Sequence, residues 1–233
     1  MKALTDTQYI YQLVAAGEHD HQDFKFEISD ARKIARSLSA FANTGGGSLL
    51  VGVKDNGKIA GVRSEEEIYM IEAAATLYCR PQLEVETRTY RVEGKTVLEV
   101  RIPESHCKPI YAIDEEKKAW AYVRIADENI LATPVHLQLW RHTQEEEGSF
   151  VSFSEREQRL LDALAEREML SLNQCCRVCH LSRKETCELL ADFIRFGLVQ
   201  PVFNRHKFFY RLQAEPENEE ASVDQQTDSR QLR

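Results

Sequence analysis

A run of three glycines at positions 45–47 is the feature that most constrains how this chain can fold. Residues 30–43 before it place apolar side chains at intervals of three and four, which predicts a helix capped by Asp30. Residues 48–53 after it are apolar and β-branched, which predicts a buried strand. Because glycine permits backbone angles and close approaches that a side chain forbids, Gly45, Gly46 and Gly47 are candidates to present amides to an anion.

The triplet does not belong to a standard nucleotide-binding motif. The chain has no Gly-x-x-x-x-Gly-Lys-[Ser/Thr], and no Gly-x-Gly-x-x-Gly follows a strand. An alternative is that the glycines only close a cramped connection between helix and strand. A tight turn is expected directly after the strand, at Asp55-Asn56-Gly57.

Residues 1–145 are predicted to form a mixed α+β domain. Ser64 and Glu67 have the spacing of a capping box, Pro81 forbids continuation of the helix that it opens, and Thr133-Pro134 is typical of a helix start. Alternating or β-branched segments indicate strands, most of which pair with their neighbours. The expected helices are residues 7–16, 30–43, 64–78 and 134–142, and the expected strands are residues 23–28, 48–53, 83–91, 96–102, 109–113 and 119–125.

Residues 154–213 are predicted to form a second, smaller domain. Capping boxes at Ser154/Glu157 and Ser182/Glu185 open two helices, a short helix lies between them, and residues 202–210 indicate a hairpin. Three helices followed by a basic hairpin resemble a winged helix-turn-helix. The polar residues 146–153 are expected to be a linker, and the acidic residues 214–233 a disordered tail.

Composition indicates a cytoplasmic protein with reduced thiols. The 233 residues include no apolar run long enough for a membrane helix, and the N-terminus has no signal-peptide core. Four of six cysteines fall close together, a poor spacing for a disulfide framework. Zinc binding by Cys176, Cys179, His180 and Cys187 is the weaker alternative to small core residues, because a second Cys-x-x-Cys is absent.

The distribution of charge permits a polyanionic partner although the net charge is −8. Residues 177–211 hold seven basic and three acidic residues, so a local basic face is expected. The alternative is a protein-interaction winged helix with solvated cations. The side chains expected to contact DNA are Arg183, Lys184 and Thr186 on the third helix, and Asn204, Arg205, His206 and Lys207 in the wing.

The N-terminal pattern resembles a known family, the Schlafen AlbA-type domain, to which DNA binding is attributed. The segments that carry the resemblance are Glu18, Asp23-Phe24-Lys25, residues 39–47, residues 50–53, residues 55–57 and residues 59–61. The likeness continues through Lys108 and Tyr122-Val123-Arg124. It implies a nucleic-acid-binding protein, most simply a DNA-binding transcriptional regulator, and a nucleotide-binding protein is a further alternative.

The resemblance also implies site residues. Some Schlafen proteins are RNA nucleases that use three carboxylates, and the matching residues are Glu18, Asp23 and Asp55, which together could hold Mg²⁺ or Mn²⁺. Asp23 departs from the usual glutamate, and the tandem copy of the domain is missing, so a homodimer would restore the pair. A groove for DNA or RNA would be lined by Lys25, Asn43, Lys108 and Arg124 with the glycine amides.

Overall fold

The chain divides into two compact units, here called unit 1 (Met1–Val151) and unit 2 (Ser152–Arg233). The computed structural model describes residues 5–144 and 154–214. The predicted linker, residues 146–153, and the predicted tail beyond residue 214 lie outside the described residues. Within the described ranges, no helix is long and apolar enough to cross a membrane.

Unit 1 is mixed α+β, which confirms the predicted fold class. Its helices are α1 (Asp6–Ala16), α2 (Ala31–Asn43), α3 (Glu66–Thr76) and α4 (Pro134–Gln144). Its strands are β1 (Gln22–Lys25), β2 (Gly47–Val51), β3 (Cys79–Arg80), β4 (Glu86–Val92), β5 (Lys95–Ile102), β6 (Tyr111–Ile113), β7 (Ala119–Ile125) and β8 (Glu128–Leu131). They form two sheets, in the orders β1-β2-β5-β4 and β3-β6-β7-β8.

The strand after the triple glycine is buried on both of its faces. Successive side chains of a strand point to opposite faces, so Leu49 and Leu50 enter different apolar clusters. Leu49 packs with Leu38 of α2, whereas Leu50 packs with Ile10 of α1. The near-continuous apolar sequence of β2 follows from this double burial.

The glycine connection is sterically closed. Gly46 has φ +75°, and a Cβ on it would lie 2.8 Å from the carbonyl oxygen of Ile102. A Cβ on Gly47 would lie 2.8 Å from the carbonyl oxygen of His21 and would collide with the ring of Phe41. The Gly46 amide donates to the Phe41 carbonyl at 2.9 Å, so it is not free for an anion. These contacts favour the alternative of a cramped helix-to-strand connection.

The start of α3 differs from the predicted capping box. The helix begins at Glu66 with Glu65 as N-cap, and Glu65 makes no side-chain cap hydrogen bond. The Glu67 carboxylate is buried and accepts the backbone N–H groups of Ile28 (2.9 Å) and Arg63 (2.7 Å). The prediction was wrong because the Glu67 carboxylate accepts hydrogen bonds from other backbone groups instead of capping the start of the helix. One of these groups, the Ile28 N–H, is distant in sequence, so local spacing cannot reveal the contact.

Unit 2 contains the helices and the hairpin that the sequence predicts. Its elements are α5 (Glu155–Glu166), β9 (Leu170–Ser171), α6 (Leu172–Cys179), α7 (Arg183–Arg195), β10 (Val199–Asn204) and β11 (Lys207–Leu212). The strands form one sheet in the order β10-β11-β9. Both predicted capping boxes, at α5 and α7, are present. Strand β9 was not predicted, because two residues carry too little periodicity to reveal a strand.

Candidate nucleic-acid interface

The hairpin β10–β11 carries its polar side chains at an exposed two-residue turn. Arg205 and His206 both have positive φ, 48° and 59°, as a tight hairpin turn requires. Asn204 and Lys207 flank the turn, and all four residues are exposed. Below them the rings of Phe203 and Phe208 meet across the strands with centroids 5.0 Å apart, and this contact stiffens the base of the turn.

The cationic surplus of unit 2 lies on this hairpin rather than on α7. Residues 199–212 contain Arg205, Lys207 and Arg211 and no acidic residue. Residues 183–195 contain three basic and three acidic residues, so α7 as a whole is neutral. The excess of basic residues predicted from sequence is therefore concentrated at one edge of unit 2.

Two of the three α7 residues predicted to contact DNA are exposed, and one is not. Arg183 and Lys184 are exposed. The Arg183 guanidinium donates to Asn173 Oδ1 at 3.0 Å, and Lys184 Nζ lies 3.8 Å from Glu188 Oε1. Thr186 is fully buried, and its hydroxyl donates to the Ser182 carbonyl at 2.9 Å. The assignment of Thr186 to the interface is wrong, because this position lies on the inward face of the helix.

In unit 1, Arg124 is a buried structural cation. It is 2% exposed, it lies over the Phe41 ring at 5.0 Å, and its Nη2 lies 3.6 Å from Asp23 Oδ1. It also donates to the Gln22 carbonyl (3.2 Å) and to Asn129 Oδ1 (3.1 Å). Its predicted role in a nucleic-acid groove is contradicted, because a guanidinium enclosed in this way cannot reach a phosphate.

Asn43 is likewise enclosed. It is 4% exposed, and its Oδ1 accepts the Ile110 N–H at 2.8 Å. Its Nδ2 donates to the carbonyl groups of Ile110 and Tyr122, each at 2.9 Å. This side chain therefore joins the end of α2 to β7 and to the residue before β6. The prediction that it contacts nucleic acid is wrong, since every polar atom of the amide is occupied inside unit 1.

Glu18 and Asp23 lie side by side at the start of β1. Glu18 Oε1 accepts the Phe24 N–H at 3.0 Å, and burial together with the hydrogen bond to Asp23 raises the pKa of Glu18. Asp23 is 3% exposed, and its Oδ2 lies 2.6 Å from Lys25 Nζ. The structure thus joins these two predicted carboxylates and balances them with Lys25 and Arg124.

The third predicted carboxylate does not join them. In the parallel pairing of β1 with β2, Asp23 lies beside Leu49, whereas Asp55 follows the end of β2 in an exposed turn. No group of three His, Cys, Asp or Glu side chains within residues 5–144 and 154–214 is placed to hold a metal ion. The convergence of Glu18, Asp23 and Asp55 is therefore contradicted, and so is the zinc alternative, because the described Cys176, Cys179, His180 and Cys187 form no such group either.

The remaining predicted cations of unit 1 are paired with acids. Lys25 contacts Asp23, and Lys108 forms an ion pair with Glu104 and is mostly covered. Both therefore contribute little positive potential to a groove beside the glycines. Among the described residues of unit 1, Lys33 and Arg36 are cations without an acidic partner; they lie on the exposed side of the first half of α2, in a groove that also exposes Trp120. Sequence analysis missed them, although three basic residues opposite the apolar side of α2 were a readable signal.

Comparison with known proteins finds a family model that matches the N-terminal part of the chain. Residues 18–133 match the model of the family described as Schlafen, AlbA_2. No curated protein matches the chain.

Two solved structures match parts of this chain at low identity and low TM-score. The DIP2311 protein from Corynebacterium diphtheriae is 17% identical, with a TM-score of 0.44 over 85% of this chain and 37% of that chain. This chain thus spans little more than a third of the length of DIP2311. The N-terminal domain of a RecG-related protein from Nitrosomonas europaea is 22% identical, with a TM-score of 0.40 over 66% of this chain and 97% of the domain.

Proposed function

We propose, from the premise that residues 18–133 belong to the Schlafen, AlbA_2 family, that this chain is a nucleic-acid-binding protein. In this proposal the protein is a transcriptional regulator, and its unit 2 binds duplex DNA as a winged helix. The hairpin β10–β11 is the wing on the phosphate backbone, and the start of α7 enters the major groove with Arg183 and Lys184. Unit 1 contributes a rigid scaffold at its glycine connection rather than an anion-binding site.

The observation that carries this proposal is the exposed cationic hairpin turn. Arg205 and Lys207 stand at the end of a stiff hairpin that contains no acidic residue. Cations that replace the counterions of a phosphate backbone release those ions into solution, which drives binding and makes it dependent on salt. A position at the tip of a hairpin also lets both side chains reach phosphates without distortion of the helices.

Removal of the wing cations should weaken the binding of duplex DNA. We expect the double variant Arg205→Ala, Lys207→Ala to lose about tenfold in affinity at about 0.1 M salt, because two phosphate contacts disappear. The slope of log affinity against log salt should also become shallower by about 1.8. Filter binding of a labelled duplex across a salt series measures both quantities.

A matched control is available on another element of unit 2. The double variant Arg156→Ala, Arg159→Ala removes the same charge from α5, a helix on which acidic residues outnumber basic ones. It should bind as the unchanged protein does. Equal losses in the two double variants would show that only net charge matters and would refute the wing assignment, as would full binding by the wing variant.

The ribonuclease alternative predicts that the protein cleaves RNA, whereas the proposal of a DNA-binding regulator predicts that RNA stays intact. Because Asp55 is separated from the Glu18–Asp23 pair, and because Asp23 is occupied by Lys25 and Arg124, we expect labelled tRNA to remain intact with Mg²⁺ or Mn²⁺. Denaturing gel electrophoresis over several hours measures this. Cleavage that Glu18→Ala or Asp55→Ala abolishes would contradict the proposal and would support a metal-dependent nuclease.

A further inference from the structure

Unit 1 contains an open groove between the first half of α2 and the loop that joins β6 to β7. Its volume is about 460 Å³, within the range of small-molecule sites in proteins. Arg32, Lys33 and Arg36 line it from α2, and Asp114 and Trp120 line it from the β6–β7 side. Neither the Glu18–Asp23 pair nor the hairpin of unit 2 is part of it.

Trp120 is held as a partly exposed aromatic surface. Its Nε1 donates to Asp114 Oδ2 at 2.8 Å, while Asp114 Oδ1 accepts the Lys118 N–H at 2.8 Å. The hydrogen bond from Trp120 is the main cause that lowers the pKa of Asp114, so this carboxylate remains ionised and keeps its hold on the indole. Yet 40% of Trp120 remains exposed. A planar ring fixed in advance loses little conformational entropy when a flat ligand stacks on it.

Three of the four acids of the groove have polar partners, whereas two of its four cations, Lys33 and Arg36, form no ion pair among the described residues. Asp30 caps α2 by accepting the Arg32 N–H, and Glu116 is paired with Lys118. Lys33 and Arg36 form no ion pair within the described part of unit 1. The Arg32 guanidinium lies over the Tyr78 ring at 4.8 Å, and its buried Nε has no hydrogen-bond partner in the described residues. Four acidic residues, including Glu115, and four basic residues line the groove, so its charges balance, but Lys33 and Arg36 have no acidic partner in the part of the chain that the structure describes and can pair with an anionic group of a ligand.

We propose that this groove binds a nucleotide, with its base stacked on Trp120 and its phosphate paired with Lys33 and Arg36. Stacking on an aromatic side chain tolerates any base, and nearby cations supply the complementary charge for the phosphate. The nucleotide is either a free mononucleotide or an unpaired residue of a single strand. This site is separate from the duplex interface proposed for unit 2 and stands independently of it.

The test uses the fluorescence of Trp120 in the full chain. The chain has two tryptophans, so Trp140→Phe leaves Trp120 as the only one. Titration with adenosine 5′-monophosphate or with a hexamer of deoxyadenylate should quench this fluorescence saturably. The added double substitution Lys33→Ala, Arg36→Ala should weaken binding about tenfold, whereas Arg91→Ala, an exposed cation of β4, should leave it unchanged.

A second measurement avoids dependence on the Trp140→Phe background. Isothermal calorimetry on the otherwise unchanged chain should show a loss of about tenfold in affinity with Trp120→Leu. Saturation by the mononucleotide identifies a free nucleotide as the source, and saturation by the hexamer alone identifies a single strand; either supports the site.

Three results would overturn the proposal. The first is the absence of saturable binding by both probes in both assays. The second is equally strong binding of a hexaglutamate peptide at the same residues, which would indicate an acidic protein partner. The third is loss of hexamer binding in the variant Arg205→Ala, Lys207→Ala, which would assign that binding to the hairpin. Failure of duplex binding in the earlier experiment leaves this test unaffected, because no residue is shared.

Discussion

Substitution of Arg124 by methionine should lower the free energy of unfolding of unit 1 by about 3–5 kcal/mol. Methionine retains most of the apolar length of the side chain but removes the guanidinium. The buried carboxylate of Asp23 then keeps only Lys25 as a cationic partner, and the Gln22 carbonyl loses a donor. Removal of one member of a buried charge pair is costly because the other charge stays desolvated.

Urea unfolding followed by tryptophan fluorescence measures this effect in unit 1 alone. Both tryptophans, Trp120 and Trp140, lie in unit 1. Arg91→Met is the matched control, because Arg91 is exposed on β4 and should change stability by less than about 0.5 kcal/mol. If Arg124→Met were as stable as the control but bound nucleic acid poorly, the groove role first expected for Arg124 would be correct.

Substitution of Asn43 by alanine should have an effect of similar size, about 2–5 kcal/mol on the same unfolding transition. The Ile110 N–H and the Tyr122 carbonyl would lose their side-chain partner inside the core. Each buried backbone group left without a partner costs about 1–3 kcal/mol. The same fluorescence measurement applies, since this cluster also lies in unit 1.

Two further variants test whether the network around Asn43 causes the loss. Asn43→Asp keeps an oxygen for the Ile110 N–H but cannot donate to the Tyr122 carbonyl while it is ionised, so it too should destabilise unit 1. Asn204→Ala, at the exposed hairpin of unit 2, should be nearly neutral. Stability of Asn43→Ala equal to that of the unchanged chain would show that water replaces the amide, and would contradict a structural role.

Local signals in the sequence predicted much of the fold. Capping boxes at Ser154 and Ser182 correctly indicated where α5 and α7 begin, because such a cap depends on residues only three positions apart. The hairpin β10–β11 was likewise readable, and its turn residues are exposed as expected. The alternation of polar and apolar residues also predicted strand β1, although the strand ends at Lys25 and the prediction extended it to residue 28.

The candidate site was less predictable because residues distant in sequence determine whether each of its side chains is buried or exposed. Arg124 and Asn43 carry polar groups typical of binding sites, and nothing near them in sequence shows that β1, β6 and β7 enclose them. Thr186 was misassigned for a simpler reason: it faces inward on α7 and bonds to the preceding turn. The parallel pairing of β1 with β2 was also missed, and it is this pairing that separates Asp55 from Asp23.

The crowding around Gly46 and Gly47 indicates that the triple glycine is a structural motif rather than a ligand-binding one. Any larger residue would meet backbone or the Phe41 ring there, so these two glycines are required by steric fit. A search for this motif in genomes would therefore recover proteins that share a joint between helix and strand. Their ligands would have to be sought from the surfaces that differ between them.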